Sequence, residues 1–287
     1  MSAGGALGLE PVAAGGFGLC EAPRVTPDGT VWFSDVTGGG VFRIAPGADA
    51  IDEVLPGRRG VGGLVAHARG GVVVSGRDLV HLHDDGTTTD VSTPGDDTGI
   101  TGFNDLTVDV HGWLLAGALR FRPMAGEPPV PGRVLVVAPG WVAVAVDEGV
   151  DWPNGLGLSP DGRRCYLADY AHRRVLVVDV DRDGALAEAA RTWVQAPEGL
   201  SADGLAVDAE GGVWVATGQG GSVVRLDPDS GAITESLEGL APFVSSIAFG
   251  GEDGRDVLVT TAGGEGGGTV LRGRAPVAGT PIPATIV

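Results

Sequence analysis

Apolar residues in this chain follow a pattern that recurs six times. Each copy has a short apolar run, a turn built on Asp-Gly or Gly-Gly, and a second run of β-branched or aromatic residues. Glycine supplies the positive φ angles that tight turns need, so each copy predicts two antiparallel strands joined by a hairpin. The copies begin at Val25, Leu64, Leu106, Leu156, Leu205 and Ile247.

Further strands are predicted after each hairpin. A third β-branched run follows, as in GRVLVVAPG from Gly132, and most copies add a fourth, more polar run, as in WVAVAVDEG from Trp141. A polar outer run is typical of a strand at a solvent-facing edge. Six units of four strands, spaced by roughly 40 to 50 residues, predict an all-β fold, a six-bladed β-propeller whose four-stranded antiparallel blades surround a central channel.

The pattern extends along the whole chain, so residues 1–287 are interpreted as a single propeller domain. The segment from Leu9 to Gly16 has no blade of its own, and we expect it to complete the last blade and close the ring. The alternative architecture is a β-sandwich with a few extra hairpins. Six copies of one unit are hard to fit into two sheets, which favours the propeller.

Composition narrows the chemistry that the chain can perform. Acidic residues number 37 against 19 basic ones, which gives a formal net charge of −18. This balance disfavours nucleic acid and anionic membranes as partners and favours a small-molecule substrate. All the basic residues are arginines, which excludes a lysine Schiff base and the phosphate-binding loop that ends in Lys-Ser or Lys-Thr.

The sequence also carries expectations about the protein's compartment. Its first residues lack the basic and apolar regions of a secretory signal, and the longest apolar run, Val134 to Val146, is interrupted by a Pro-Gly pair and is too short to cross a bilayer. Cys20 and Cys165 are expected to be buried free thiols, since two cysteines make no disulfide framework. These features predict a cytoplasmic protein, and a monomer is the default for a closed ring.

One polar position in each unit indicates a site. Equivalent positions of a propeller lie on one ring, so their side chains should converge at the channel. Two carboxylates and two carboxamides there would supply oxygen donors that suit Ca²⁺, with Mn²⁺, Mg²⁺ or Zn²⁺ as alternatives. Asn-Gly and Asp-Gly pairs are also ordinary turn formers, which is the structural alternative for each residue taken singly. Counting back eight residues from each hairpin glycine gives Glu21, Gly62, Asn104, Asn154, Asp203 and Ser246.

Five segments resemble the family of senescence marker protein, gluconolactonase and luciferin-regenerating enzyme, which are six-bladed, metal-dependent propellers. The segments are LCEAPRVTPDGTVWFSD, FNDLTVDVHG, PNGLGLSPDGRRCYLAD, SADGLAVDAEGGVWVA and VSSIAFGGEDGRDVLVTTA. The resemblance implies that Glu21, Asn154 and Asp203 bind the metal. Asn104 would be a fourth ligand, or would reach the metal through water or substrate. Asp203 would be the general base or nucleophile, and Asn104 and Asn154 would stabilise the oxyanion.

The chain departs from the sugar-lactone members of this family at one position. Those members carry an arginine two residues before the matching asparagine, and here Gly102 stands there, which indicates a less hydroxylated substrate. Phe103 and Trp152 either line an apolar wall of the pocket or pack between blades. Arg120 and Arg122, in a Pro-rich loop, are candidates to replace the missing cation.

The combined interpretation is a metal-dependent, lactonase-like hydrolase that acts on a lactone or a related cyclic ester. The alternatives on the same site are a calcium-dependent phosphotriester or fluorophosphate hydrolase and a metal-dependent isomerase or carbon–carbon lyase. The non-enzyme alternative is a calcium-binding or protein-interaction propeller. A Gly-x-Ser-x-Gly motif is absent from the sequence, and His81 and His83 share one face of a strand, where we expect an outer surface position.

Overall fold

The strands form a six-bladed β-propeller, as the repeats predict. The computed structural model describes residues 7–12, 15–263 and 267–287. Within them, six four-stranded antiparallel sheets pair their strands in spatial order from the channel outward. Apart from short 3₁₀ segments at 96–98, 123–125 and 170–172, no helix is present in this described part.

The first three blades follow one another along the chain. Blade one contains β2 (Cys20–Val25), β3 (Val31–Asp35), β4 (Val41–Ile44) and β5 (Asp52–Leu55). Blade two contains β6 (Leu64–Ala66), β7 (Val72–Val74), β8 (Leu79–Leu82) and β9 (Thr88–Ser92). Blade three contains β10 (Gly102–Val108), β11 (Leu114–Leu119), β12 (Arg133–Ala138) and β13 (Trp141–Val146).

The remaining blades repeat this order, and the last one uses both ends of the chain. Blade four contains β14 (Pro153–Leu158), β15 (Arg164–Asp169), β16 (Arg174–Asp179) and β17 (Arg191–Gln195). Blade five contains β18 (Leu205–Val207), β19 (Val213–Ala216), β20 (Val223–Leu226) and β21 (Ile233–Leu237). Blade six contains β22 (Phe243–Gly250), β23 (Asp256–Ala262), β24 (Val270–Arg274) and β1 (Glu10–Pro11).

The N-terminal strand closes the ring, which confirms the prediction for the segment from Leu9 to Gly16. Strand β1 pairs antiparallel with β24, with Glu10 opposite Arg272, and the amide of Val12 donates to the carbonyl of Val270 at 2.9 Å. Residues 13 and 14 of that segment lie outside the described residues. Blade six thus combines the first strand of the chain with its last three strands.

Apolar side chains from neighbouring blades pack against each other and form the core. Trp32, Tyr166 and Trp214, each on the second strand of a blade, are at most 2% exposed. Most outer strands are polar, as in β21, where four of five residues are exposed. Blade three differs from the prediction, because its outer strand β13 exposes the apolar side chains of Trp141, Val142 and Val144. The inner strands are buried and the other edges present polar residues to solvent, in agreement with the sequence pattern.

The C-terminal residues cross the end of the channel at which the inner strands finish. The amide of Thr280 donates to the carbonyl of Val207 at 2.8 Å, the amide of Thr285 to that of Ala66 at 2.8 Å, and the amide of Ile286 to that of Gly112 at 3.0 Å. We call residues 275–287 the channel floor. The floor connects blades five, two and three and leaves the opposite end of the channel for the start of the inner strands.

Two smaller expectations have different outcomes. Cys20 and Cys165 are buried free thiols, as predicted. The outer surface position expected for His81 is wrong, because this side chain is 1% exposed. Its ring stacks between those of His67 at 3.7 Å and His83 at 4.0 Å, and the turn that carries His67 covers it. Within the described ranges, no helix is long and apolar enough to cross a membrane.

Candidate metal centre

Shifts in strand pairing occur at the start of the inner strands, next to the predicted ligands. The pairing of β2 with β3 shifts between Glu21 and Arg24, and the corresponding shifts in blades three and four fall around Asn104 and Asn154. A β-bulge breaks the pairing locally and redirects side chains. In blade one the bulge includes Ala22, whose φ of 53° is unusual for a residue with a side chain.

Hydrogen bonds join the predicted ligands across blade boundaries. The Asn154 side-chain amide donates to Oδ1 of Asp203, and the backbone amide of Gly155 donates to the carbonyl of Asp203 at 3.2 Å. The Asn104 side-chain amide donates to the carbonyl of Pro153 at 3.0 Å. These contacts connect blades three, four and five at one end of the channel. We call Glu21, Asn104, Asn154 and Asp203 the ligand ring.

The two remaining blades have a glycine and a serine at the equivalent positions, and the serine hydroxyl donates a hydrogen bond to the carbonyl of Cys20. A Cβ on Gly62 would lie 1.9 Å from Oδ1 of Asn104, so blade two leaves room for the asparagine to reach inward. In blade six the predicted Ser246 is one residue out of register. The amide of Gly204 donates to the carbonyl of Ser245, as the amide of Gly155 does to that of Asp203, so Ser245 is the equivalent residue.

The two carboxylates of the ligand ring are buried close to each other. Glu21 is 7% exposed and Asp203 is 3% exposed. Burial raises the pKa of Glu21 well above its ordinary value, and the charge of Asp203 raises it further, against the hydrogen bond from the amide of Ala22. Burial also raises the pKa of Asp203 well above its ordinary value, against the hydrogen bond from Asn154. The pair therefore favours a bound positive charge.

Two further charged residues lie next to the ring and were not identified from the sequence. Asp105 accepts the amides of Leu106 at 2.7 Å and Leu156 at 3.1 Å, and burial raises its pKa to about 6, against the nearby charge of Arg24. Arg24 donates from Nε to the carbonyl of Leu64 at 2.7 Å. Both line a cavity of 230 Å³ that residues 280–283 of the channel floor close at the other side.

The donor set fits a hard divalent cation. Two carboxylates and two carboxamides supply oxygen atoms, and the mutual repulsion of Glu21 and Asp203 is the kind of strain that a cation relieves. In the part of the chain that the structure describes, no group of three or more His, Cys, Asp or Glu residues is arranged to hold a metal. A cation at the ligand ring would therefore need carboxamide or water oxygens besides the two carboxylates.

The predicted substrate-binding residues lie in different environments. Phe103 is 2% exposed and packs in an apolar cluster with Val65 and Leu79, which favours its packing alternative. Trp152 is half-buried beside Asn154 and contacts Phe121 edge-on at 5.1 Å. Phe103 therefore lies in the core, and Trp152 lies near the ligand ring.

The two arginines of the Pro-rich loop are exposed. The guanidinium of Arg122 pairs with Glu127 of the same loop at 3.2 Å and is 67% exposed. Arg120 lies by Gly99, where a Cβ would be 3.5 Å from its Nε. No hydrogen bond or ion pair joins either guanidinium to the ligand ring among the described residues.

Comparisons with known proteins identify the family of the chain. A sequence model of the family described as the SMP-30/Gluconolactonase/LRE-like region matches residues 19–263. Regucalcin of Xenopus laevis is 31% identical over 241 residues, which are 82% of this chain and 80% of that protein. Pentonolactonase XacC of Haloferax volcanii is 34% identical over 175 residues, which are 60% of this chain and 57% of that protein.

A solved structure shares the whole architecture. The calcium-binding protein regucalcin of Agrobacterium tumefaciens has a TM-score of 0.85 and 22% identity to this chain, and the match covers 98% of each chain. At this identity the likeness shows the fold and carries no statement about the reaction.

Proposed function

Because the chain belongs to the SMP-30/gluconolactonase/LRE-like family, we propose that it is a metal-dependent hydrolase of a lactone or a related cyclic ester. The pentonolactonase among its relatives supports this reaction class. The observation that carries the proposal is the pairing of Asn154 with Asp203 beside Glu21, which gathers buried oxygen atoms at the end of the channel opposite the floor.

Glu21, Asn154 and Asp203 are proposed to hold the cation, with Asn104 as the fourth ligand or as its contact through water or substrate. Ca²⁺ is the proposed ion, since every donor is an oxygen and a relative of the same fold is described as calcium-binding. When bound, a divalent cation polarises a carbonyl and lowers the pKa of a bound water.

The other steps of the hydrolysis are assigned to residues of the ligand ring. Asp203 accepts a proton as the oxygen of water bonds to the carbonyl carbon of the substrate. The C–O bond of the lactone ring breaks, and the proton held by Asp203 passes to the alkoxide oxygen of the leaving group. The product is a hydroxy acid. The hydrogen bond from Asn154 orients the Asp203 carboxylate, and the Asn104 carboxamide orients the substrate carbonyl and stabilises the oxyanion.

The substrate is proposed to be less hydroxylated than a sugar lactone. Gly102 provides no side chain, and a Cβ there would lie 2.9 Å from the carbonyl oxygen of Gly76. Arg122 does not supply a replacement in this arrangement, because it is paired with Glu127. A pocket without a cation for hydroxyl groups discriminates against polyols.

Acid release measured by pH-stat on a panel of lactones tests the proposal. We expect turnover that chelation abolishes and that Ca²⁺ or Mn²⁺ restores. Glu21→Gln should reduce kcat/KM by more than about a hundredfold, since even the partners of metal ligands are worth ten- to a hundredfold. Glu252→Gln, which removes the same charge at an exposed position, is the matched control.

Two results would contradict the proposal. No turnover of any lactone, in protein shown to bind the metal, would favour the isomerase or lyase chemistry instead. Equal turnover by Glu21→Gln and the wild type would remove the ligand ring from the reaction.

A further inference from the structure

Tyr170 lies at the edge of the ligand ring and has no role in the hydrolysis as described so far. It begins the 3₁₀ segment that follows β15, and its backbone amide donates to the carbonyl of Trp152 at 3.1 Å. The rings of Tyr170 and Trp152 are 4.7 Å apart, and Phe121 packs behind Trp152. We call Phe121, Trp152 and Tyr170 the aromatic wall.

The hydroxyl of Tyr170 lies close enough to the ligand ring for the charges of Asp203 and Glu21 to act on it. Its hydrogen-bond partner is the side chain of Ser201, two residues before Asp203. Burial raises the pKa of this phenol, and the charges of Asp203 and Glu21 raise it further. A protonated phenol is a hydrogen-bond donor.

The backbone next to Tyr170 includes a residue with an unfavourable positive φ. Arg173 closes the 3₁₀ turn by donating its amide to the carbonyl of Tyr170 at 3.2 Å, with a φ of 52°. Ala22 and Arg173 are the two residues other than glycine with positive φ in the described ranges, and Ala22 adjoins the ligand Glu21. Strain of this kind persists where surrounding contacts over-determine a conformation, and it concentrates at functional sites.

Asp169, the residue before this turn, holds the turn in place. Asp169 is fully buried, and its Oδ1 accepts the amide of Trp152 at 3.1 Å. Its other oxygen accepts Nε of Arg174 at 2.9 Å. One carboxylate thus anchors the backbone at both aromatic residues, so Trp152 and Tyr170 are positioned together relative to Asn154, which follows Trp152 by two residues.

We propose that Tyr170 is a substrate-contacting residue, whose hydroxyl donates a hydrogen bond to the ester group while the aromatic wall packs against an apolar, planar substituent. This rests on the proposed lactone hydrolysis and names its substrate class as cyclic esters that carry an aryl group. Trp152 and Tyr170 of the wall are partly exposed aromatic residues, and position 102 has neither a polar side chain nor the space for one. An aryl face is bound by such a surface better than a set of hydroxyl groups.

The test compares γ-phenyl-γ-butyrolactone with γ-butyrolactone, which differ only in the aryl group. The wild type should favour the phenyl compound in kcat/KM. Tyr170→Phe should lower kcat about fivefold on both compounds, because one neutral hydrogen bond to the ester is lost. Trp152→Ala should reduce the preference for the phenyl compound about three- to tenfold and change turnover of the plain lactone less.

Two measurements separate this role from a structural one. Tyr166→Phe is the matched control, because Tyr166 is a tyrosine at 1% exposure in the core, and it should behave as the wild type. The Ca²⁺ affinity of Tyr170→Phe by calorimetry should equal that of the wild type, since Tyr170 is outside the ligand set. Equal kinetics of Tyr170→Phe and the wild type on both lactones would overturn the inference.

Failure of the proposed function can be recognised separately. If the wild type hydrolyses no lactone, the affinity of metal-loaded protein for 5-phenyl-2-pyrrolidinone, the matching lactam, is measured by calorimetry. Tighter binding by the wild type than by Tyr170→Phe and Trp152→Ala would support the contact without any turnover. Equal binding by all three, or no binding to the wild type, would overturn it.

Discussion

The carbonyl oxygen of Gly76 lies 2.9 Å from the point that a Cβ on Gly102 would occupy. The same oxygen accepts the amide of Phe103 at 2.6 Å, so blades two and three are in backbone contact at this point. A side chain at position 102 therefore needs a shift of the backbone. Glycine at position 102 is thus required by the packing of this chain.

Substitution at this contact should destabilise the protein. Gly102→Ala is expected to lower the free energy of unfolding by about 1–3 kcal/mol, the range for inserting atoms into a packed interior. Gly102→Arg should do so too, without creating gluconolactone hydrolysis. Urea unfolding and pH-stat assays measure both effects.

Gly95→Ala is the control, because this glycine is exposed, has a negative φ and faces the flexible side chain of Asp97. Its unfolding free energy should stay within about 0.5 kcal/mol of the wild type. A fully stable Gly102→Arg variant that hydrolyses gluconolactone would contradict the packing argument.

Removal of the cation should make stability fall as pH rises. Glu21 and Asp203 have pKa values raised well above their ordinary ones, so the folded protein holds more protons than the unfolded chain above about pH 4. Each group then contributes up to about 1.4 kcal/mol of loss per pH unit until it ionises in the folded state. Melting temperatures in chelator between pH 5 and 8 measure this slope.

Added Ca²⁺ should flatten the slope, because a cation favours the ionised carboxylates. The high net negative charge of the chain adds a general pH dependence, so the comparison is made between two variants that each lose one carboxylate. Glu21→Gln should reduce the slope in chelator, and the exposed Glu252→Gln should leave it as in the wild type. Equal slopes for the two variants would show that the ring does not control this dependence.

Arg24 should be required for stability at neutral pH more than at acidic pH. Its Nε donates to the carbonyl of Leu64. Its charge lowers the pKa of Asp105, which burial raises, and the resulting pKa is about 6. Arg24→Met leaves a buried carboxylate without its cation, which we expect to cost about 3 kcal/mol at pH 8. At pH 4.5 Asp105 is protonated, so the loss should be smaller.

Chemical unfolding at the two pH values measures the difference. Arg77→Met is the control, because Arg77 is 89% exposed and its ion pair with Asp78, at 3.6 Å, is worth little. A loss for Arg24→Met that is equal at pH 4.5 and pH 8 would contradict an electrostatic role and leave only the hydrogen bond to Leu64.

The sequence predicts the propeller, and it predicts that Glu21, Asn104, Asn154 and Asp203 lie at one end of the channel, for a physical reason. A hairpin fixes the number of residues between its turn and the channel end of the inner strand, so Glu21, Asn104, Asn154 and Asp203 keep one spacing from the turn glycine. The spacing fails in blade six, where β22 has eight residues and the equivalent of Asp203 is Ser245. The longer strand moves the turn one residue further away.

Residues outside the repeat could not be predicted in this way. The partner of Arg24 is a backbone carbonyl forty residues away, on another blade, and backbone atoms leave no pattern in the sequence. Tyr170 lies in a connection whose conformation depends on buried Asp169 and on the positive φ of Arg173. His81 was misplaced because strand alternation defines its face and does not show that His67 covers that face.

The two thiols provide a local probe of the ring. Burial raises the pKa of Cys165 to about 12, and burial together with the charges of Asp35 and Glu21 raises the pKa of Cys20. Metal-loaded protein should therefore resist iodoacetamide at pH 8, since the thiolate is the reactive form. After chelation, repulsion between Glu21 and Asp203 should loosen β2, which also carries Cys20, before it affects β15, which carries Cys165.

Peptide mass spectrometry of alkylated protein resolves the two sites. Cys20 should be labelled first in chelator, while Cys165 should follow only with global unfolding, because it packs in a different core cluster between blades three and four. Glu21→Gln, which removes the repulsion, should slow the labelling of Cys20 in chelator and leave that of Cys165 unchanged. Simultaneous labelling of both thiols would mean that the blades open together, and that the strain at the ring is not confined to the strand that carries Glu21.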